Sequence, residues 1–277
     1  MSLNAKFGAS QGRVVPSESG GLQCFPQNSW QKEFQAASRI GLSFIELLVE
    51  RKPNKSNPFW SSTGRDEIRE VVSKSNMEIY SCCFDYVIDH SIADQDNNFI
   101  SEMVEFFKGC ADLSIPVIVL PLIEKSDLNS QTYKDYVPLV QDIADNFLSK
   151  SAELCIESLL PASELLEFLA LVDRKNVSCV YDSGNRIVDG ADLASEIMLL
   201  KDWIKHFHLK DKNADGANVI LGTGLVNFDE VFGALRKIDY QGHFNFETTR
   251  GVSPEKTMAY HYYFSNFFLN ESYREVI

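Results

Sequence analysis

ELCIE, at residues 153–157, is the first of four apolar runs in this 277-residue chain that end on a residue able to bind a divalent cation. The others are SCVYD at 178–182, IKHFH at 204–208 and HFNFE at 243–247. Alternate side chains of a β-strand share a face. If the last residue of each run points inward, the bulky apolar residue before it therefore points outward. Helical patterns separate the runs, which predicts parallel strands whose ends meet at one rim. The residues brought to that rim are Glu157, Asp182, His208 and Glu247.

The rest of the chain repeats this unit, and the pattern predicts an α/β protein with eight strand and helix pairs. Further strands are expected at 6–10, 44–48, 79–84 and 117–120. Helices are expected at 29–41, 65–75, 99–113 and 131–149, followed by one opened by Pro161, one capped by Asn227 and one from Pro254. About 250 residues suffice for a (β/α)₈ barrel, so a single TIM-barrel domain is predicted over residues 1–277.

The charge balance argues against nucleic acid as a partner. The net charge is −13, and phosphate backbones are bound by Lys and Arg and repelled by an acidic surface. No stretch has the roughly 20 continuous apolar residues that span a bilayer, and the first residues lack the pattern of a secretory signal. Six cysteines without the paired spacing of a zinc module are expected to be buried small hydrophobes. We therefore expect a cytoplasmic protein with no membrane partner.

The register of the four strand ends predicts chemistry at the rim. A single carboxylate or histidine there is more often a salt-bridge partner or a buried hydrogen-bonding group, but four in one register are hard to explain that way. Active sites of (β/α)₈ barrels lie at this rim. Three carboxylates and one imidazole suit one Mn²⁺, Mg²⁺ or Co²⁺ ion. The loop 215–224 is expected to act as a lid, and His206, one layer deeper, to support the site by hydrogen bonding.

Several stretches resemble the sugar phosphate isomerase/epimerase family with the xylose isomerase-like TIM barrel. They include QGRV at 11–14, NPFWSSTGRDEI at 57–68, CFDY at 83–86, PLIE at 121–124, YDSGN at 181–185, HFHLKD at 206–211 and the pattern Y.G.FNFET at 240–248. The resemblance covers nearly the whole chain and is specific for the fold and the metal site rather than for the substrate. In the family's ketose 3-epimerases, the residues that match the four rim ligands hold one divalent ion, usually Mn²⁺.

The resemblance implies that Glu157 and Glu247 are catalytic residues as well as metal ligands. A proton on a carbon beside a carbonyl leaves at neutral pH only if the resulting enediolate is stabilised, and a cation bound to two substrate oxygens supplies that stabilisation. One carboxylate then removes the proton and the other returns it on the opposite face. Mn²⁺ is the expected cofactor, with Mg²⁺, Co²⁺ and Zn²⁺ as alternatives, and a small sugar or sugar phosphate is the expected ligand.

Further residues are expected to contact the substrate: Asn185, Lys210, Arg250, Glu124, Asp85 and Trp60. Asn185 stands where many relatives carry a histidine, and its amide can hold a hydroxyl but cannot titrate near neutral pH. Lys210 and Arg250 follow the last two strands and could hold a phosphate or pair with neighbouring acids. Asp85 and Glu124, together with Glu46, are expected to close earlier strands at the rim and could instead form salt bridges there. A loop tryptophan is more often a packing residue.

Four functions remain open at this stage. A metal-dependent isomerase or epimerase of a small ketose or ketose phosphate leads, and a dehydratase of the inosose or dehydroshikimate type uses the same barrel and metal site. DNA cleavage, as in type IV AP endonucleases, needs more histidines than the five present. Sugar binding without catalysis requires a defective metal site. The aromatic surplus of the last helix exceeds what one face can bury, which indicates a homo-oligomer.

Overall fold

A computed structural model of the protein describes residues 5–93 and 97–269. Within these ranges, parallel strands form a closed barrel in which each strand pairs with the next and the last pairs with the first. The strands are β1 Phe7–Ser10, β2 Phe44–Val49, β3 Ser81–Phe84, β4 Val117–Pro121, β5 Glu153–Glu157, β6 Val177–Asp182, β7 Ile204–Leu209 and β8 His243–Phe246. The predicted (β/α)₈ barrel is confirmed.

Helices connect the strands around the outside of the barrel. They are α1 Trp30–Ile40, α2 Ser62–Lys74, α3 Tyr86–Asp89, α4 Asn97–Asp112, α5 Val137–Asn146, α6 Ala162–Val172, α7 Ser183–Ile187, α8 Leu193–Leu199, α9 Phe228–Lys237 and α10 Pro254–Leu269. Short 3₁₀ turns lie at Pro58–Trp60, Glu124–Ser126 and Tyr133–Tyr136. The short helices α3 and α7 were not expected from the sequence, and both directly follow a strand at the C-terminal rim.

Strand alternation separates two cores, as the period of two requires. Ile156, Tyr181, Phe207 and Phe246 precede the four rim residues, and all are buried in the large core between strands and helices. A separate small cluster fills the inside of the barrel and consists of Cys83, Val117, Val119, Cys155 and Val180. The side chains that alternate with the outer core therefore point into the barrel.

Helix ends follow local capping chemistry and correct some of the expected bounds. The side chain of Ser61 accepts from the backbone N–H of Gly64, so α2 begins earlier than expected. Asn227 caps α9 as predicted. The single helix expected at 131–149 is instead a 3₁₀ turn followed by α5. Pro138 lies in the first turn of α5, where its missing N–H costs nothing.

The last helix exposes part of its aromatic surplus. Exposed fractions are 44% for Tyr260, 66% for Tyr263 and 44% for Phe267. The surplus that prompted the homo-oligomer prediction is thus real, and the oligomer itself stays a prediction. Among the described residues, no helix combines the length and apolarity needed to cross a membrane.

Candidate active site

The four residues chosen from the strand ends come together at the C-terminal rim. Glu157 and Asp182 close β5 and β6, His208 is the penultimate residue of β7, and Glu247 directly follows β8. Each offers one ligand atom, and these atoms all lie within 4.8 Å of one another. Ligands of one ion at roughly 2.0–2.6 Å can be at most about 4 to 5 Å apart, so the cluster has the size of a single metal site.

His208 has one ring nitrogen in the cluster and the other against a carboxylate beneath it. Its Nδ1 lies 3.1 Å from Glu247 Oε2, 3.9 Å from Asp182 Oδ2 and 4.0 Å from Glu157 Oε2. Its Nε2 lies 3.1 Å from Glu46 Oε1. Metal-binding histidines commonly bind the metal with one ring nitrogen and donate the N–H of the other nitrogen to such a carboxylate. The orientation of His208 therefore fits a metal ion bound by Nδ1.

Glu46 links the cluster to the layer below. Its Oε2 lies 2.9 Å from His206 Nε2, and its Oε1 accepts from Asn245 Nδ2 at 2.9 Å. Burial would raise the pKa of Glu46, but His208 and His206 lower it to about 2. The expectation that His206 supports the site by hydrogen bonding is confirmed. Glu46 was expected at the rim, but β2 continues to Val49, so this carboxylate is buried inside the barrel.

Lys210 is part of the cluster rather than a neighbour of it. Its Nζ lies 2.7 Å from Asp182 Oδ2 and 2.9 Å from Glu247 Oε2. Burial would lower the pKa of Lys210, but the charges of Asp182 and Glu247 raise it above its usual value. The ammonium therefore offsets part of the carboxylate repulsion, and a metal ion would share these two carboxylates with it.

The two glutamates have opposite electrostatic environments. Burial raises the pKa of Glu157 to about 7. Burial would also raise the pKa of Glu247, but Lys210 and His208 lower it well below its usual value. Two carboxylates whose pKa values are driven apart can hold different protonation states at the same pH, which is a property of acid–base pairs.

Asn185 and Asp85 lie in the same cavity as the cluster. The cavity has a volume of about 200 Å³ and is also lined by Arg13, Lys210 and Glu247. Asn185 donates from Nδ2 to Glu157 Oε1 at 2.9 Å, and its Oδ1 accepts from Lys210 Nζ at 3.3 Å. Burial raises the pKa of Asp85 to about 6. Both side chains line this cavity, and their contact with a substrate stays a prediction.

The structure does not bring the other three predicted residues into this cavity. Arg250 donates to the backbone carbonyls of residues 12, 21 and 22, and thereby holds the loop after β1. Glu124 is exposed and paired with Arg51. Trp60 packs edge-on against Phe59, with ring centroids 5.6 Å apart. Their predicted substrate contacts are untested, but their observed partners are all within the protein.

Two arginines that line the cluster cavity were not predicted from the sequence. Arg13 is 1% exposed, donates to the carbonyl of Thr248 at 3.0 Å and lies 3.5 Å from Glu247 Oε1. Its stretch, QGRV, was noticed only as part of a resemblance, because nothing in a loop predicts a partner 234 residues away. Arg51 lines both the cluster cavity and a second one.

A second cavity, here named the outer cavity, shares lining residues with the cluster cavity. It has a volume of about 480 Å³, and both cavities are lined by Gln23, Arg51 and Asp85. Its other charged residues are Glu18, Glu50, Lys52 and Asp89. The shared lining residues place the two cavities side by side.

Comparison with known proteins gives matches over most of the chain. A family model described as xylose isomerase-like TIM barrel matches residues 34–261. An inferred L-ribulose-5-phosphate 3-epimerase of Haemophilus influenzae, SgbU, is 22% identical over 247 residues, covering 81% of this chain and 86% of that protein. An inosose dehydratase of Bacillus thuringiensis is 30% identical over 103 residues, which is 30% of this chain and 34% of that protein.

Solved structures share the fold at low sequence identity. An L-ribulose 3-epimerase matches with a TM-score of 0.76 and 16% identity, covering 98% of this chain and 97% of that chain. A xylose isomerase-like TIM barrel protein from Mycobacterium smegmatis in complex with magnesium matches with a TM-score of 0.71 and 17% identity, covering 96% and 97%. These likenesses establish the same barrel.

Proposed function

Since this chain belongs to the xylose isomerase-like TIM barrel family, we propose that it is a metal-dependent epimerase or isomerase of a small ketose or ketose phosphate. The observation that carries the proposal is the cluster of Glu157, Asp182, His208 and Glu247, whose ligand atoms lie within 4.8 Å of one another. The cluster includes two glutamates whose pKa values are shifted in opposite directions, upward for Glu157 and downward for Glu247. The epimerase names of the Haemophilus relative and of the matching structure support the same reaction class.

In this proposal the chain's own residues move the proton and hold the substrate. Glu157 and Glu247 stand on either side of the substrate carbon, one taking its proton and the other returning one. A divalent ion, when bound, supplies Lewis-acid stabilisation to the negative charge that develops on the substrate oxygens. Asn185 and Asp85 hold hydroxyls, and Lys210 keeps the carboxylates oriented between turnovers.

We propose one ion, held by Glu157, Asp182, His208 and Glu247. The donor set is mostly oxygen, which favours Mn²⁺ or Mg²⁺, and Co²⁺ and Zn²⁺ remain alternatives because a histidine nitrogen suits them. The magnesium complex of the Mycobacterium smegmatis barrel supports a divalent ion on this fold. The proposal also keeps the single domain over residues 1–277, the cytoplasmic location and a homo-oligomer.

A dehydratase is the second candidate function, favoured by the 30% identity to an inosose dehydratase over 103 residues. Dehydration begins with the same kind of proton abstraction, so the cluster suits it equally. The relation covers only 34% of that protein, whereas the Haemophilus relative is covered over 86% of its length. The epimerase is therefore preferred.

The test is incubation of the Mn²⁺-loaded protein with ketoses, ketose phosphates, inosose and dehydroshikimate in deuterated water, with the products analysed by mass. Deuterium uptake at carbon without loss of water supports the epimerase or isomerase. A product lighter by one water supports the dehydratase. Absence of exchange with every compound, at full metal occupancy, would contradict both. A Glu157→Gln and Glu247→Gln double variant controls for exchange that the active site does not catalyse.

A further inference from the structure

We propose that the substrate is an uncharged ketose without a phosphate group. This inference rests on the proposed function and narrows its substrate class. Barrels of this fold frequently bind phosphate with the loops after the last two strands and a helix N-terminus. In this protein several donors of both loops bind the protein itself. The cavities that would receive the far end of the substrate carry more carboxylates than cations.

The loop after β7 already encloses an anion, the carboxylate of Asp211. This side chain is fully buried, and its oxygens accept from the backbone N–H groups of Gly222 at 3.0 Å, Gly224 at 2.8 Å and Val226 at 3.1 Å. A Cβ on Gly224 would lie 2.3 Å from Asp211 Oδ1, so the loop fits closely around the carboxylate. These N–H groups are not available to a phosphate.

The guanidinium in the loop after β8 is committed to the protein as well. Arg250 is buried and donates to the backbone carbonyls of Gly21 at 2.7 Å and Leu22 at 2.6 Å, and also to that of Gly12. Carbonyl oxygens around a guanidinium leave it no free edge for a bidentate phosphate contact.

The helices that follow these loops do not provide a phosphate site either. The first turn of α9 carries Asp229 and Glu230, and that of α10 carries Glu255. A carboxylate in the first turn of a helix interacts favourably with the positive end of the helix dipole and repels a second anion. In addition, α10 begins at Pro254, which has no N–H to donate.

The cations of the two cavities are paired with the protein. Arg51 donates to Glu124 and, at 3.1 Å, to Asp89. Arg13 and Lys210 are held by the carboxylates of the cluster. Among the residues that the structure describes, Lys52 is a lining cation without an ion pair, and it is exposed, so its attraction for an anion is weakened by water and salt.

The same walls suit a neutral sugar. Asp85, Asp89 and Glu50 line the outer cavity. Asp89 already accepts from Arg51, and Glu50 accepts from Asn54 and Asn57. Ionised carboxylates only accept hydrogen bonds, and each offers about four lone-pair sites. Sugar hydroxyls can donate to such oxygens, whereas a phosphate dianion carries only acceptors at neutral pH and is repelled. The outer cavity therefore favours a substrate whose far end is uncharged over one whose far end carries a negative charge.

The experiment compares matched pairs that differ only in the phosphate. Ribitol and ribitol 5-phosphate are titrated into Mn²⁺-loaded protein by calorimetry, and D-ribulose, D-ribulose 5-phosphate, D-fructose and D-fructose 6-phosphate are assayed for deuterium exchange. We expect the neutral member of each pair to bind and exchange roughly tenfold better or more. Equal or better binding of the phosphate, or binding of neither polyol, overturns the inference. If no ketose takes up deuterium, the proposed function fails. The relative affinities for ribitol and ribitol 5-phosphate still test whether the cavity prefers an uncharged ligand.

A variant tests the pairing of Arg51. Glu124→Gln removes the charge that holds the guanidinium, so the preference for the neutral polyol should shrink several-fold. Glu70→Gln is the matched control, since it breaks an exposed glutamate–lysine pair with Lys74 that lines neither cavity. An unchanged preference in Glu124→Gln, or an equal change in the control, would contradict the role given to Arg51.

Discussion

Glu46 and Glu157 are both buried glutamates on barrel strands, but they lie in different halves of the barrel. On β2, in the first half, Glu46 lies against two histidines, and its pKa falls to about 2. On β5, in the second half, Glu157 is surrounded by other carboxylates, and burial raises its pKa to about 7. The comparison teaches that neighbours decide whether a buried carboxylate is a fixed charge that orients others or a group that can exchange a proton.

The largest effect is expected from changing the exchangeable carboxylates. Glu157→Gln and Glu247→Gln keep one ligand oxygen and lose the base, so turnover should fall by roughly 10²–10⁴ while metal occupancy changes much less. Asp182→Ala should lose occupancy instead, and excess Mn²⁺ should restore part of the rate. Metal content and turnover are measured on the same preparations. Near-normal turnover of both glutamine variants at full occupancy would mean that the base lies elsewhere.

Changing Glu46, the carboxylate with the fixed charge, should have a smaller effect, and mainly on metal affinity. Glu46→Gln leaves His208 without its charged partner, and loss of such a partner lowers metal affinity or activity by roughly 10–100-fold. Glu78→Gln is the control, because this glutamate pairs with Lys6 away from the cluster. Affinity is measured by calorimetry, and equal affinities in the two variants would show that Glu46 does not orient the histidine.

A pH titration of metal affinity separates the two kinds of glutamate. Below its pKa of about 7, Glu157 carries a proton that a metal ion must displace. Affinity should therefore rise with pH through about 7, by about tenfold per unit for each displaced proton. The raised pKa of His208 adds to the same trend. In Glu157→Gln, metal binding should displace one proton fewer, so metal affinity should depend less steeply on pH. A slope of affinity against pH identical to that of the unmodified protein would refute the assignment.

The smallest effect is expected at Trp60, which lines neither cavity. Trp60→Phe should leave KM within about twofold, because the indole packs on Phe59 and under Lys55 rather than beside the cluster. Asn185→Ala is the comparison variant and should raise KM. A rise in KM for Trp60→Phe equal to that for Asn185→Ala would place the tryptophan beside the substrate after all.

The sequence was sufficient for the barrel and the four clustered residues because both follow from short-range periodicity. Alternation within a strand assigns Glu157 to the inside as soon as Ile156 is assigned to the outside. Arg13 and Asp211 could not be found in this way, since their roles depend on loops whose course has no period. Glu46 is not at the end of its strand, because β2 continues three residues beyond it to Val49, which pairs with Phe84 of β3.

Arg13 and its partners join opposite ends of the chain, and this has a consequence for biosynthesis. Arg13 is buried against Glu247 and the carbonyl of Thr248, which are translated 234 and 235 residues after it. The loop around it also waits for Arg250. A nascent chain therefore lacks these contacts and an intact rim until β8 and the loop after it have been translated, and a product that terminates before β8 cannot pair β8 with β1 to close the barrel.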